Sequence, residues 1–384
     1  MTAVGFVAAL LGLLAYRWAS IRGERRDFVF FMILYLLHIA AGVFAYQIAL
    51  VGGSDSELYY YDPGHFYDEG FGLSTAFVIY LVQSLRGLVG GTYLDYFMLF
   101  QAIGFLGIAT LMRIFQEIYE ETGEPQPIYT YLLLFLPGLH FWTSSIGKDS
   151  ALFFASCLAI WGMMHMTQRY LAVAAALGLM LLIRPHIALF AIIAASLTII
   201  FDRRSKGILK ATLFACAVGA AVFVVSTVST TFHLDITNAD SVSQYLSGRE
   251  EITQRAQEGM NTAVLDAPFV VKLFSLLFRP FFFDSTSSMG YVASMENVVF
   301  MMIFIIMLFR LKNVLGLTRS IAFVRYCLFF AVIVTLFLTV TYYNIGLGLR
   351  QRMMFVPAVL VIFIALQATV RRARKLSEAG LVPA

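Results

Sequence analysis

Apolar runs close to the length of a bilayer crossing recur along this chain, separated by short charged or turn-rich segments. A helix needs about 20 mainly apolar residues to cross the hydrocarbon core, and in that solvent only helices and closed barrels satisfy their own backbone groups. Composition agrees: 60% of the 384 residues are hydrophobic and 13% are charged, with a mean hydropathy of +0.81. The chain therefore reads as an all-α, polytopic integral membrane protein, a single transmembrane domain over 1–384. Spanning helices are expected at 2–19, 28–50, 93–116, 128–144, 149–167, 170–184, 186–201, 209–229, 292–310, 321–341 and 353–370, about 11 in all.

The stretch 72–90 is apolar but broken by Gln83, Ser84 and Arg86. It is expected to be an interfacial helix inside a first extracytoplasmic loop over 51–92. The first run, Thr2 to Ala19, has no basic segment before it and ends in positive charge, so it reads as a retained helix and not as a cleaved signal. Cys157, Cys216 and Cys327 sit in apolar runs without metal-ligand spacing, as small core residues do.

Basic residues orient the drawing. Arg22, Arg25 and Arg26, then Arg169, then Arg203, Arg204, Lys206 and Lys210, then Arg310, Lys312 and Arg319, and finally Arg371, Arg372, Arg374 and Lys375 fall in alternate loops. Short cytoplasmic loops retain Lys and Arg, which puts the N-terminus outside and the C-terminus in the cytoplasm.

The opposite face collects acids and aromatics. Its first loop, GGSDSELYYYDPGHFYDEG, carries Asp55, Glu57, Asp62, Asp68 and Glu69 among tyrosines; a large extracytoplasmic loop covers 230–291. The acidic stretch reads either as a solvated loop or as one folded against protein, where burial would make a carboxylate a base or a metal ligand. Lys148 and Asp149 open a helix. Capping by Asp149 and snorkelling by Lys148 account for them, and so does an anion site at a helix N-terminus. Arg184 ends a short apolar helix before Pro185 and His186. At membrane depth an arginine costs about 2.5–3.5 kcal/mol on insertion scales, so such residues usually face an internal cavity. Arg279, Arg350 and Arg352 add cations on this face, and Glu296, a few residues into an apolar run, is a candidate to pair with any of these arginines, Arg184 included. Carboxylates serve as bases, and guanidiniums grip phosphate in bidentate fashion.

The segments GSDSELYY, FLPGLHFWTSSIGKDS, LIRPHIAL, LFRPFFFD with SMEN, and YNIGLGLRQRMMFVP together give a resemblance. The chain resembles the C-type membrane glycosyltransferases and oligosaccharide-repeat polymerases of bacterial envelope polysaccharide synthesis. The resemblance implies a GT-C-like fold in the bacterial inner membrane. It also implies a polyprenyl-phosphate-linked or polyprenyl-diphosphate-linked sugar donor, a glycan or lipid acceptor, and inverting transfer at the outer face. On that pattern Asp55 or Asp62, or else the Asp68–Glu69 pair, takes the base role. Lys148, Arg184, Arg279, Arg350 and Arg352 hold donor phosphate, supported by Asp149, His186 and Glu296. A divalent cation, Mg or Mn, is a candidate cofactor among the acids. No cytoplasmic loop is large enough to bind a nucleotide sugar, and no nucleic acid is implied. The alternative from another class is a flippase or transporter of lipid-linked glycan, whose path needs the same cations.

Overall fold

The computed structural model describes residues 3–20, 23–52, 54–202, 267–285, 287–341 and 345–380, with isolated positions between 207 and 222. The expected helix at 209–229 as a continuous element, residues 230–266 of the large loop, and Cys216 lie outside the described residues. Among the described residues the chain is all helix, with no strand.

The elements in order are α1 (Ala3–Ala19), α2 (Arg25–Val51), α3 (Asp55–Tyr61), a 3₁₀ turn at Phe66–Glu69, α4 (Thr75–Val89) and α5 (Tyr93–Thr122). Next come α6 (Ile128–Leu132), a 3₁₀ turn at Leu133–Phe135, α7 (Pro137–Phe141), α8 (Lys148–Met164), α9 (Tyr170–Ile183) and α10 (Pro185–Ile200). The C-terminal part holds α11 (Phe269–Phe278), α12 (Ser288–Phe309), α13 (Leu311–Ser320), α14 (Ala322–Thr341), α15 (Ile345–Arg352) and α16 (Val356–Glu378). Five of these, α2, α5, α12, α14 and α16, are long and apolar enough to cross a membrane. α2 and α12 leave most of their apolar surface uncovered, with Leu36, Phe44, Leu308 and Phe309 exposed. A face of that extent suits lipid and not water.

Local sequence explains most of the boundaries. Thr92 and Asp95 form a reciprocal capping box that starts α5, and Gly123 in the left-handed region ends it. Pro185 and Pro357 sit in the first turns of α10 and α16, where a missing N–H costs nothing.

One expected span is corrected. The stretch 128–144 is not a single helix but α6, a 3₁₀ turn and α7, with Leu136 extended between them. Pro137 is the cause: it has no N–H to donate into the preceding turn, and its ring drives the residue before it out of the helical region. The break lets α7 tilt onto α2 and leads the chain into the loop before Lys148. α4 occupies the segment expected at the interface and packs on α3 and α9. Two further short helices, α13 and α15, form where only loops were expected.

α5 is the hub, with α1, α2, α8 and α16 packed around it. It carries glycines where neighbours approach: a Cβ at Gly104 would lie 1.9 Å from the Thr143 carbonyl oxygen, and one at Gly107 would lie 2.5 Å from the Phe153 ring. Small residues at such crossings let helices pack closely in lipid. The contacts run in register, Gly104 with Thr143, Gly107 with Phe153, Glu117 with Trp161, so α5 and α8 are parallel.

Glu117 ties the far ends of these helices together. Its carboxylate accepts from Arg113 at 2.8 Å, Arg169 at 2.8 Å and Trp161 Nε1 at 3.1 Å. Arg113 lies over the Trp18 and Trp161 rings, and Arg169 over Trp161. Replacing Glu117 by Gln would leave two largely buried guanidiniums without a counter-charge, a class of change that costs about 3 kcal/mol or more. Thermal unfolding of Glu117→Gln in detergent is expected to drop well below that of the wild type, while Glu378→Gln, which touches only the exposed Arg374, should not move it.

Candidate functional site

At the opposite end of α5 and α8, four separated segments of sequence meet. Gly147 precedes α8 with φ at +155° and no side-chain cap, so the first turn of α8 presents Lys148 and Asp149. Asp149 is buried and shared by two arginines: Arg184 Nη2 donates to Oδ1 at 3.1 Å and Arg350 Nε to Oδ2 at 2.5 Å. Arg350 also donates through Nη1 to Asp55 Oδ2 at 2.6 Å. Pro185 starts a new helix directly after Arg184, which turns that arginine into the α9–α10 corner. α15 brings Arg350 from the C-terminal third of the chain.

Lys148 takes a different kind of partner. Its Nζ donates to Thr75 Oγ1 at 2.8 Å and to Ser74 Oγ at 3.3 Å, and it forms no ion pair among the described residues. Ser74 has φ at +64°, a conformation L-residues avoid at a cost of order 1–3 kcal/mol. The Ser74 N–H donates to Leu182 O at 2.8 Å, which ties the start of α4 to the end of α9 beside Arg184. Arg184 Nε is buried with no hydrogen-bond partner among the described residues. Tyr59 closes one side, its ring against the position a Gly147 side chain would occupy. Burial raises the pKa of the Tyr59 hydroxyl and the carboxylates of Asp55 and Asp149 push it the same way, so the phenol stays protonated. Asp149, and to a smaller extent Asp55, raise the pKa of Arg350 against the effect of burial.

The sequence-predicted residues therefore divide into groups. Asp55, Lys148, Asp149, Arg184 and Arg350 converge. His186 follows Arg184 but packs its ring on Phe190 and Phe337. Asp62 caps α3 in a left-handed conformation and accepts the Phe66 and Tyr67 N–H groups at 2.9 and 2.8 Å, so its carboxylate is occupied in closing a turn. Asp68 and Glu69 sit on the 3₁₀ turn, where Asp68 pairs loosely with His65 at 3.8 Å. Arg279 is clasped by Asp284 through two hydrogen bonds at 2.9 and 2.7 Å. Arg352 and Glu296 form a second, fully buried pair: Glu296 accepts from Arg352 at 3.3 Å and from the Gly138 N–H at 2.5 Å, while Asn297 accepts from Arg352 at 2.5 Å. Successive helical residues are rotated by about 100°, so residues two apart point to opposite sides of α15. That is why Arg350 reaches Asp149 while Arg352 reaches Glu296.

A small apolar crevice lined by Leu277, Phe300, Phe304, Phe355, Val356 and Val359 opens beside Arg352, not beside Asp149. No group of three or more His, Cys, Asp or Glu side chains among the described residues is arranged to hold a metal ion. Arg350 stands between Asp55 and Asp149, where a cation bridging the two acids would have to be. Sequence reasoning did not reach Ser74, Thr75 and Tyr59. Arg86, the one charge in the apolar run 72–90, was a usable signal that α4 is held against the first loop: it lies over the Tyr60 ring and donates to Tyr60 O, beside Gln83. No family model, curated protein or solved structure matches this chain.

Two outcomes follow from this geometry. Asp149→Asn would remove the negative charge that Arg184 and Arg350 share, with an expected loss of about 3–5 kcal/mol in thermal or denaturant unfolding; Asp55→Asn, at the exposed end of the chain of contacts, should cost far less. The hydrogen bonds from Arg279 hold the Asp284 carboxyl below its usual range. Because the folded pKa is the lower one, the clasp contributes fully above the ordinary carboxylate range and is lost as pH falls through the lowered value. Asp284→Asn is expected to flatten that acid limb in unfolding measured against pH.

Proposed function

We propose that this protein is an integral membrane glycosyltransferase that transfers or polymerises sugars from a polyprenyl-phosphate or polyprenyl-diphosphate donor onto a glycan or lipid acceptor. The observation that carries the reading is the charge of the cluster. Among the described residues Lys148, Arg184 and Arg350 face Asp149 and Asp55, which leaves one positive charge in excess there. Lys148 retains donor capacity beyond its two hydroxyl partners, and Arg184 Nε has no acceptor among the described residues. Such a surplus at the uncapped start of α8 is chemistry for an anion. A lipid phosphate is the anion that a chain with these apolar faces would meet.

In this reading Lys148, Arg184 and Arg350 grip the donor phosphate, and Asp149 holds the two arginines in place. Asp55, half exposed and engaged by Arg350 alone among the described residues, is the carboxylate best suited to take a proton from the acceptor hydroxyl. Asp62, Arg279 and Arg352 drop out of the phosphate and base roles because other contacts occupy them, and Asp68 and Glu69 on the 3₁₀ turn make no contact with the cluster among the described residues. The cluster would face the outside of a bacterial inner membrane, with the N-terminus outside and the C-terminus cytoplasmic. Arg26, Arg113, Arg169 and Lys375 gather toward the other end, which favours that orientation. About eleven crossings remain the expected count, the broken stretch 128–144 serving as one of them.

Purified protein in lipid nanodiscs provides the test. Lys148→Met should weaken binding of polyprenyl phosphate roughly 10- to 100-fold, the range expected for losing one charge-assisted hydrogen bond. Asp55→Asn should bind that lipid much as the wild type does and yet fail to restore glycan formation in cells. Undiminished glycan in Asp55→Asn together with normal lipid binding in Lys148→Met would defeat the proposal. Glycan formation surviving only in Asp55→Asn would instead favour a transporter of lipid-linked glycan.

A further inference from the structure

His38 and His140 meet midway between the two charged ends, away from the cluster at Asp149. His38 lies near the middle of α2, and His140 is on the broken segment at α7; both side chains are buried. Three contacts define the pair. His38 Nε2 faces the Gln101 carbonyl oxygen at 3.0 Å, His140 Nε2 faces the Leu134 carbonyl oxygen at 2.9 Å, and the two Nδ1 atoms are 3.2 Å apart.

Counting hydrogens gives the argument. A carbonyl oxygen only accepts, so each Nε2 must carry hydrogen, and a neutral imidazole has one N–H. Both are then used, and the Nδ1 atoms face each other lone pair to lone pair. Moving one hydrogen to Nδ1 repairs that contact and breaks a carbonyl contact instead. Three hydrogen bonds need three hydrogens, and two neutral rings supply two.

We propose that the His38–His140 pair is a proton-binding site in the membrane interior that takes up one proton, shared between the two Nδ1 atoms. The surroundings fit one added charge and not two. α5 presents Gln101 and the Phe105 ring to His38, and the segment before α7 presents the Leu134 carbonyl. On α2 the neighbouring titratable group is Tyr35, whose ring packs on Phe31 and Phe105. α12 reaches α7 through Glu296, whose carboxylate sits on the Gly138 N–H and is already paired with Arg352. No carboxylate contacts either imidazole among the described residues. Burial opposes the charge, and the two carbonyl dipoles together with the shared N–H···N bond favour it. Gly104 keeps the space: a Cβ there would lie 3.2 Å from His38 Nε2 and 1.9 Å from the Thr143 oxygen.

The site is independent of the transferase reading, because none of its contacts involves the Asp149 cluster. Solid-state NMR of full-length, ¹⁵N-histidine-labelled protein in lipid bilayers, titrated over the pH range in which it stays folded, decides it. As pH falls, both Nε2 atoms of the pair should remain protonated while one proton is gained, with magnetisation transfer from one ring to the other across N–H···N. That transfer identifies the pair among the six histidines of the chain in the wild type, and His38→Gln or His140→Gln, where the variant folds, should abolish it. Two rings that stay neutral throughout, or that gain a proton each in separate steps without inter-ring transfer, would overturn the proposal.

Discussion

The arrangement at the Lys148 end depends on one carboxylate held by two guanidiniums. Asp149 stands in the first turn of α8, Arg184 at the α9–α10 corner and Arg350 on α15, so a single buried side chain joins three parts of the chain far apart in sequence. Taking such groups out of water is expensive, and the pairing offsets that only if the remaining donors are also satisfied. Here they are satisfied in part. Arg350 extends to Asp55 and thereby draws the first loop onto the cluster, while Arg184 keeps one buried donor idle. α15 itself is fixed from both sides, by Asp149 through Arg350 and by Glu296 through Arg352, and Glu296 in turn holds the start of α7. A change at Asp149 is therefore felt directly at the α9–α10 corner through Arg184 and at α15 through Arg350.

What could be read from sequence was the solvent. Apolar run length identified the long helices, and the anomaly of charges next to apolar runs picked out Asp55, Lys148, Asp149, Arg184 and Arg350, because in an apolar chain a charge without a partner is too costly to place at random. What could not be read was which charge meets which. Asp62 has the same residue type and loop as Asp55, and only the backbone at the Pro63–Gly64 turn turns its carboxylate inward onto two N–H groups. Arg350 and Arg352 differ by helical phase, which a loop drawn without α15 does not possess. The break at 128–144 was foreshadowed by Pro137, yet hydropathy averaged over a whole crossing conceals a single proline.

The two charged ends of α5 and α8 can be compared directly, and they differ in how the surplus positive charge is met. At the Glu117 end two arginines also outnumber one carboxylate, but the surplus is met by the faces of Trp18 and Trp161, so the positive charge has an internal partner. At the Asp149 end the surplus cation is Lys148, and its partners are two hydroxyls on α4. Hydroxyls are dipoles that rotate, and they offer an ammonium group less than a carboxylate or an indole face does. A cluster built only to lock helices would end as the Glu117 cluster does, with every charge answered from within the protein. Among the described residues the Asp149 cluster ends with a lysine met by hydroxyls alone and a guanidinium nitrogen without an acceptor, at the start of a helix whose own N–H groups add to the same field. The proposed binding of an anionic lipid headgroup rests on that difference between the two ends.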